Sequence, residues 1–322
     1  MNLYSRPDPV PVLVGQAVRA PSSHNTQPWI FRRTDSGVTL HTDRSRALPV
    51  NDPAGRERVI SAGAALLNLR VAALRHGLDA LVEAFPDPAD DSLLARVTLT
   101  ERREPAPGDP DLYEAIARRH TCRRPFAARP VPEAVLRAAR EAAEREGALM
   151  MPVPHGQRAR VAALVEEGDR RQFATRAWRR ELAFWMRPRR SGDGLAVPTA
   201  LAPLLRTAFR SLDLGARTGA CDAALVRAAP ALLVITTDTD TRPAWLATGQ
   251  ALQRALLVLA AEGVLAGYAN QPCQVGDPLR ARLRDAVSGP DGGHPQLLLS
   301  AGYPRGKVSG SPRRPLADVL DP

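Results

Sequence analysis

The sequence predicts an α+β fold in which the order strand, long helix, strand occurs twice. In each half a β-branched run ends in aspartate, a helix with apolar periodicity follows, and a further apolar strand candidate comes after it. Glycines at the ends of the two helices have the same spacing, Gly63 to Gly77 and Gly249 to Gly263. The strand candidates are Val38–Asp43 and Leu94–Leu99 in the first half, and Leu233–Asp238 and Gln296–Ser300 in the second. Internal duplication explains this pattern, although two unrelated segments can share such an order by chance.

The chain divides into two predicted halves, residues 1–105 and 106–322. Between them, Glu101–Asp111 contains three prolines and clustered charge, which is typical of a linker. A helix over about Asp111–Arg118 follows, and Pro132 is expected in the first turn of the next helix. An insertion around residues 170–200 combines aromatic and arginine side chains with a glycine-containing turn. It predicts either a lid over a pocket or an amphipathic helix docked on the core.

The net charge of the chain is strongly positive, at +10, and Lys307 is its only lysine. The arginines are spread along the whole sequence, and neither a zinc-finger spacing nor an RNP-like aromatic motif accompanies them. We therefore expect no nucleic-acid partner. The excess of arginine still favours an anionic cofactor or substrate through simple electrostatics.

The cysteines and the apolar runs predict a cytoplasmic protein. Cys122, Cys221 and Cys273 are odd in number and have no paired spacing, so a disulfide framework is not expected. The segment Met1–Pro11 contains charged residues and three prolines instead of the apolar core of a signal peptide. No run approaches the roughly 20 apolar residues that span a bilayer, so we expect no membrane partner.

Pro21–Trp29 is the strongest candidate for a ligand-binding segment. Prolines near both ends fix φ, and hydroxyl, imidazole and amide side chains crowd the positions between them. That density of hydrogen-bonding groups suits a planar ligand with carbonyl and N–H edges. For any single residue, an N-cap or Asx turn leading into the strand candidate Trp29–Phe31 is the simpler explanation. The candidate residues are Pro21, Ser22, Ser23, His24, Asn25 and Gln27.

A second candidate segment, Arg118–Phe126, is suited to an anion. Guanidinium groups bind phosphate through paired charge-assisted hydrogen bonds, and a threonine hydroxyl adds another donor. If the segment is extended, as Pro125 favours, positions 119, 121 and 123 point the same way. A solvated basic segment at a helix end is the competing interpretation. The candidate residues are Arg119, His120, Thr121 and Arg123.

Other common chemistries have little support in the sequence. The six histidines show no pair at metal-ligand spacing and do not cluster with the cysteines, so no metal site is expected. No Gly-x-Ser-x-Gly elbow or glycine-rich phosphate loop precedes a helix. This argues against a serine hydrolase and against a dinucleotide-binding Rossmann domain.

The two candidate segments resemble those of FMN-dependent nitroreductase-fold proteins. Residues 21–29 match the pattern Pro-Ser-x-x-Asn-x-Gln-Pro-Trp, and the form with His24 and Gln27 is most similar to the mycobacterial Acg-type branch. Residues 119–123 resemble the Arg-x-Ser-x-Arg/Lys segment that binds FMN in this family. The resemblance implies a nitroreductase-like α+β fold with mixed or antiparallel sheets flanked by helices.

The two segments lie in different halves of this chain, as they would if the two subunits of a family homodimer were joined into one chain. Family members are homodimers in which the Arg segment of one subunit and the Pro-Ser segment of the other meet at the cofactor. Here the first half has only the Pro-Ser segment, and the second has the Arg segment but Glu146–Met151 where its Pro-Ser segment would be. The resemblance thus implies a fused pseudo-dimer with one flavin site, either monomeric or a loose homodimer.

Two further segments correspond to family positions. Gly267–Cys273 matches a loop that places a backbone donor beside flavin N5, and since Pro272 lacks an N–H, Asn270 or Gln271 is the expected donor. Near the C-terminus, Arg313 and Arg314 match a basic segment that reaches the phosphate, although a disordered basic tail is equally compatible with the sequence. The resemblance adds Asn270, Gln271, Pro272, Arg313 and Arg314 to the candidate cofactor-binding residues.

The function implied by the resemblance is hydride transfer from NAD(P)H through FMN to a small electron-poor acceptor, such as a nitroaromatic, a quinone or a metabolite. No side chain needs to act as a catalytic acid or nucleophile in this scheme. The alternative is a protein that binds or sequesters FMN with little or no turnover. That alternative would be favoured if Trp178, Phe184 and Trp185 closed over the flavin.

Overall fold

The computed structural model describes residues 8–102 and 112–321. The helices are α1 (Val10–Ala17), α2 (Arg56–Arg75), α3 (Tyr113–Arg118), α4 (Glu133–Glu144), α5 (Arg158–Ala174), α6 (Arg176–Trp185), α7 (Ala202–Ser211), α8 (Gly215–Ala228), α9 (Arg242–Ala261), α10 (Gln271–Gln274) and α11 (Asp277–Val287). The strands are β1 (Trp29–Thr34), β2 (Gly37–Thr42), β3 (Leu78–Ala84), β4 (Leu93–Glu101), β5 (Leu149–Pro152), β6 (Met186–Pro188), β7 (Leu195–Val197), β8 (Ala231–Thr237), β9 (Leu265–Tyr268), β10 (His294–Gly302) and β11 (Leu320–Asp321). Most of the predicted linker, residues 103–111, lies outside the described residues, and Pro132 is the N-cap of α4.

Two sheets flanked by helices have the same strand order. The first contains β1-β2-β4-β3 and the second β5-β8-β10-β9, and neighbouring strands in these runs are antiparallel. In both, the long helix joins the second strand of the half to the third. The α+β class is confirmed. The shared strand order supports internal duplication, which stays a prediction.

The C-terminal segment connects the second sheet to the first. After β10 the chain runs back to the first half, where β11 adds a parallel strand beside β1 and pairs Leu320 with Phe31. The first sheet is therefore mixed. This crossing places the residues between β10 and β11 against the Pro21–Trp29 segment.

The long helices α2 and α9 pack against each other at the centre of the molecule. The prediction that Gly63 and Gly249 begin these helices is wrong, because the helices begin at Arg56 and Arg242 and each has 20 residues. A β-carbon on Gly63 would lie 2.2 Å from the Leu246 carbonyl oxygen, and one on Gly249 would lie 2.0 Å from that of Ile60. The two glycines thus allow the helix backbones to meet at their crossing point.

Adding a methyl group at this crossing is expected to destabilise the protein. We expect Gly63→Ala to lower the free energy of unfolding by about 2 kcal/mol, since the helices must move apart. Gly15→Ala in α1 is the matched control, because nothing lies within 4 Å of its added β-carbon. The control should raise stability by about 0.5–1 kcal/mol through helix propensity. Denaturant unfolding measures both, and equal shifts would contradict the close approach of the helices.

The region of the predicted insertion around residues 170–200 contains α6 and the two-stranded sheet β6-β7, and α7 follows directly after it; residues 175–212 are called the insertion below. Helix α6 docks on the loop before α2, where Trp178 Nε1 donates to Asn51 Oδ1 at 3.0 Å. The turn between β6 and β7 reaches the Pro21–Trp29 segment, with the Gly194 amide 3.1 Å from the Asn25 carbonyl oxygen. Within the described chain no helix is long and apolar enough to cross a membrane.

Candidate functional site

A cavity of about 480 Å³ lies where the Pro21–Trp29 segment, the Arg119–Phe126 segment, the first turns of α2, the loop after β9 and helix α8 meet. Both halves of the chain contribute to its wall. Most of the predicted site residues lie in this wall: Pro21, Ser22, Ser23, His24, Asn25, Arg119, His120, Thr121, Arg123, Asn270 and Arg313. Residues separated by most of the sequence are thus brought to one place.

Four predicted residues, Gln27, Gln271, Pro272 and Arg314, lie outside this wall. Gln27 uses its amide to fix the segment, donating to the Gly192 carbonyl at 2.9 Å and accepting from the Arg314 amide at 2.9 Å. The guanidinium of Arg314 is 3.5 Å from the Asp43 carboxylate. Pro272 is buried in the first turn of α10. The side chains of these residues support the site from outside the cavity.

The Pro21–Trp29 segment has an unusual backbone. His24, Asn25 and Gln27 have φ values of 49°, 54° and 53°, in the left-handed region that non-glycine residues seldom adopt. The side-chain nitrogen of the buried Asn25, Nδ2, donates to the carbonyl oxygens of Gly194 at 3.2 Å and Pro312 at 3.1 Å. The insertion and the C-terminal segment therefore hold this conformation in place, as is common at binding sites.

Three arginines of the cavity wall have no carboxylate partner in the described structure. Among the described residues, none of Arg119, Arg123 and Arg313 has a carboxylate oxygen within 4.0 Å, although Arg119 is buried. Burial and the like charges of Arg119 and Arg19 lower the pKa of Arg313 to about 9. Burial also lowers the pKa of Arg119. An anion bound between these groups would relieve both the desolvation and the repulsion.

Several polar atoms in the wall are buried without a hydrogen-bond partner in the described structure. They are His24 Nδ1, Arg119 Nε, Tyr268 Oη and Arg313 Nε. Burial raises the pKa of the Tyr268 phenol to about 12, so its hydroxyl keeps its proton and can donate. Buried polar groups are normally paired. These donors fit a ligand that brings acceptor oxygens and negative charge, such as the phosphate and ribityl groups of FMN.

Glu57 is a further wall residue, which no sequence pattern indicated. It lies in the first turn of α2 and is buried. Its carboxylate accepts hydrogen bonds from the Ser23 hydroxyl, from Asn270 Nδ2 at 2.5 Å and from Gln274 Nε2 at 2.9 Å. One carboxylate therefore joins the first-half segment to the second-half loop. Because the helix was predicted to begin at Gly63, Glu57 was not assigned to any element.

A pair of carboxyl groups adjoins the cavity on the side of α8. Asp222 lines the wall, and Gln271 Nε2 donates to Asp222 at 2.9 Å and to the buried Asp169 at 3.2 Å. Burial and the charge of Asp222 raise the pKa of Asp169 to about 7. The pair therefore retains a proton near neutral pH. Only folding brings these residues from α5, α8 and α10 together, so no sequence pattern indicated them.

The aromatic residues of the insertion lie outside the cavity wall. Trp178 packs against Phe173 with ring centroids 4.9 Å apart, and Arg187 stacks on both Phe184 and Trp185. None of the three predicted lid aromatics belongs to the cavity wall of the described chain. In this structure the insertion fixes the wall without covering the cavity with aromatic rings. In the same described ranges, no group of three or more His, Cys, Asp and Glu side chains could hold a metal ion.

The pH dependence of stability offers a test of the buried His24. Burial lowers the pKa of His24 from 6.5 to about 4. The unfolded chain therefore binds more protons between these values, and folding stability falls as the pH drops from 6.5 towards 4, by about 2 kcal/mol at pH 5. We expect His24→Asn, which tolerates the positive φ, to remove this loss.

Denaturant unfolding of wild type and His24→Asn at neutral pH and near pH 5 measures the effect. The stability difference between the two proteins should change in favour of the variant by about 2 kcal/mol on acidification. Asp169 titrates in both proteins, so its contribution cancels. A difference that does not vary with pH would show that His24 is solvated in the folded protein.

Comparison with known proteins identifies the family. The model of the Nitroreductase family matches residues 116–303. The chain belongs to the nitroreductase family. A Mycobacterium tuberculosis protein (strain ATCC 25618 / H37Rv) named as a candidate NAD(P)H nitroreductase, Rv3131, is 33% identical over 321 residues, covering 95% of this chain and 89% of the relative. The Acg protein of the same strain, similarly named, is 39% identical over 123 residues, which are 38% of this chain and 37% of Acg.

The resemblance to the nitroreductase family and its Acg-type branch is thus confirmed. Among solved structures, the FMN and NADPH-dependent nitroreductase NfnB from sphigopyxis sp. strain HMH is 20% identical, with a TM-score of 0.43 over 65% of this chain and 97% of that chain.

Proposed function

We propose that this nitroreductase-family chain is an FMN-dependent oxidoreductase. It takes a hydride from NAD(P)H and passes reducing equivalents to a small electron-poor acceptor, such as a nitroaromatic or a quinone. The observation that carries the proposal is the convergence of Arg119, Arg123 and Arg313 on one cavity without carboxylate partners among the described residues. A family relative named as a candidate NAD(P)H nitroreductase supports the choice of electron donor.

The arginines would hold the phosphate of FMN. Arg119 is buried and Arg313 reaches the same wall from the C-terminal segment, and both have unpartnered donors. Thr121, which forms an isolated bridge with Ala266, lines the same cavity and offers a hydroxyl there. Charge-assisted hydrogen bonds from guanidinium groups to phosphate are among the strongest that side chains form. His120, whose pKa is lowered by burial and by these arginines, would be a neutral neighbour.

The Pro21–Trp29 segment and the loop after β9 would hold the isoalloxazine ring. Ser22, Ser23 and Asn25 present polar groups on the strained turn, and Asn270 is fixed by Glu57 on one side and by the Leu298 amide, 2.9 Å from its Oδ1, on the other. Asn270 and Gln271 were the two expected backbone donors beside the ring, and Asn270 is the one that lines the cavity, so we assign this role to the backbone N–H of Asn270.

Bound FMN would supply hydride chemistry, accepting two electrons from one substrate and giving them to another. The chain's own residues bind, orient and shield the reactants. Their fixed positive charge favours a reduced, more negative cofactor. The Asp169–Asp222 pair keeps a proton beside the cavity near neutral pH. On this proposal no side chain has to act as a nucleophile.

A flavin-holding protein without turnover is the alternative. It requires a cover that keeps nicotinamide from the ring, and Trp178, Phe184 and Trp185 were the residues expected to provide it. Their positions outside the cavity wall give the alternative no structural support. We therefore favour the enzyme, acting on small molecules, with one flavin per chain as a monomeric pseudo-dimer or a loose homodimer in the cytoplasm.

A visible spectrum of the purified protein tests the proposal. We expect a flavin band, restored by added FMN if the protein is isolated without it, and bleaching when NADPH or NADH is added without oxygen. Sedimentation combined with flavin absorbance gives the number of flavins per chain, for which the fused pseudo-dimer predicts one. A colourless protein that gains no thermal stability from FMN would refute the proposal. A band that persists with both nucleotides would favour the flavin-holding alternative.

A further inference from the structure

The insertion forms a surface that the proposed reaction does not use. Residues 175–212 contain eight arginines and two carboxylates. Both carboxylates are engaged: Glu181 accepts from the Val50 and Asn51 amides at 2.9 Å, and Asp193 pairs with Arg46 at 2.8 Å and with Arg187 of the same segment at 2.9 Å. Among the described residues, the other seven arginines of the segment have no carboxylate oxygen within 4.0 Å, so its outward charge is positive.

A small hollow concentrates part of this charge. It is lined by Arg176 and Arg179 at the start of α6 and by Arg210 and Ser211 at the end of α7. Within the described ranges, none of these three arginines has a carboxylate oxygen within 4.0 Å. Arg179 also has a buried Nε without a partner. The hollow has the donors and the size for a phosphate group.

Exposed apolar side chains lie on the same helix, α7, and at both of its ends. Leu201, Leu204 and Leu212 are 48%, 67% and 53% exposed, although the opposite side of α7 is docked through the buried Ala202 and the half-buried Phe209. Leu204 lies in the first turn of α7, Leu201 is the N-cap of this helix, and Leu212 is its C-cap. Phe184, at the end of α6, is 54% exposed. Half of the large exposed hydrophobic residues of the described chain therefore fall in this insertion.

We propose that this surface, which we call the basic face (Arg176, Arg179, Arg206 and Arg210 with Leu201, Leu204 and Leu212), docks on an anionic phospholipid membrane. The hollow would bind headgroup phosphates, and the leucines would enter the interface beside them. A membrane surface offers a plane of phosphates directly above an apolar layer, which matches the cationic and apolar groups that α6, α7 and the ends of α7 present together.

Other occupants match fewer of these features. A second copy of the chain would bring its own arginines against these arginines, and the like charges would repel. Nucleic acid offers phosphates but gives exposed leucines nothing to bury against, since proteins hold its bases mainly by aromatic stacking and hydrogen bonds. The expectation of no membrane partner rested on the lack of a spanning segment, and a helix that lies on a surface needs none.

Vesicle flotation with the full chain tests the proposal. Vesicles of phosphatidylcholine alone are compared with vesicles that also contain phosphatidylglycerol, and free inorganic phosphate is added as a competitor. We expect binding only to the anionic vesicles, little competition by phosphate, and loss of most binding at about 1 M NaCl, where the Debye length is about 3 Å.

Matched variants distinguish binding through the basic face from non-specific adsorption to vesicles. Leu204→Ser should weaken vesicle binding about tenfold, whereas Leu81→Ser, at a position 60% exposed on the first sheet, should not. The double variant Arg206→Gln/Arg210→Gln should weaken vesicle binding about fivefold for each arginine removed. The control double variant Arg137→Gln/Arg160→Gln, on α4 and α5, should leave vesicle binding unchanged. Circular dichroism confirms that each variant is folded.

Several results would overturn the proposal. They are equal binding to neutral and anionic vesicles, equal loss in basic-face and control variants, and no vesicle binding by the folded wild type. Sedimentation showing a dimer that Leu204→Ser dissociates would assign the surface to a second copy. Salt-sensitive binding of a DNA or RNA duplex, lost in the same arginine variants, would assign it to nucleic acid. None of these results depends on flavin content, so they leave the proposed function untouched.

Discussion

Replacing Arg119 by methionine is expected to weaken FMN binding about 100-fold or more without lowering the stability of the ligand-free protein. Paired hydrogen bonds from a guanidinium to phosphate contribute about 3 kcal/mol or more in a partly desolvated site. In the free protein the same side chain is a buried cation near Arg313 and Arg19, with one hydrogen bond to the Arg19 carbonyl at 3.0 Å. Removing it relieves desolvation and repulsion.

The neighbouring Arg118 provides the control. It is exposed at the end of α3, one position away in the sequence, and does not line the cavity. Fluorescence titration with FMN should give nearly the wild-type dissociation constant for Arg118→Met. Thermal unfolding without flavin should show Arg119→Met at least as stable as wild type. Similar losses of affinity in the two variants would reject Arg119 as a phosphate ligand.

Glu57→Ala is expected to produce the largest loss of folding stability, about 3–5 kcal/mol, because it removes the acceptor of a buried network. The Ser23 hydroxyl and the Asn270 and Gln274 amides would each lose a partner. Glu57→Gln keeps the shape and one acceptor oxygen, so it should lose less. Both changes should also weaken FMN binding, since Ser23 and Asn270 would no longer be held in place.

Glu114→Ala is the matched control for this measurement. Like Glu57, Glu114 is an acidic residue in the first turn of its helix, but it is exposed. Its replacement should change the free energy of unfolding by no more than about 0.5 kcal/mol. Denaturant unfolding of all three variants gives the comparison. If Glu57→Ala costs no more than Glu114→Ala, the Glu57 network does not stabilise the junction between the halves.

Contiguous motifs made most of the site predictable. Residues 21–25 and 119–123 lie within short stretches of sequence whose residue types already indicate binding, and the folded chain brings both stretches to one cavity. Glu57 and Asp222 enter the same wall singly, from the faces of two helices. Nothing in their local sequence separates them from the many solvent-facing acids of the chain. Their role depends on tertiary packing, which a single sequence does not specify.

The fold, like the site, was predictable where local sequence carries the signal and not where tertiary packing decides. Apolar patterns predicted the α+β class, the two long helices and five of the strands, because burial imposes such patterns on the sequence. They did not predict where the two long helices begin. Gly63 and Gly249 were interpreted as their first residues, but they are glycines because the two helix backbones approach closely there. Apolar patterns also did not predict β11, whose two residues carry no periodic signal and form a strand only because β1 offers an open edge.

The route of the C-terminal segment has a consequence for biosynthesis. Arg313 Nη1 donates to Asn25 Oδ1 at 3.2 Å, although the two residues are 288 positions apart in the sequence. All the residues from 25 to 313 must therefore have left the ribosome before this contact can form. Until then the strained turn at Asn25 lacks the support of the C-terminal segment. A cofactor that needs the Arg313 side can be held only after this segment has been synthesised, so occupancy of the cavity would report that residues 25 and 313 have come together.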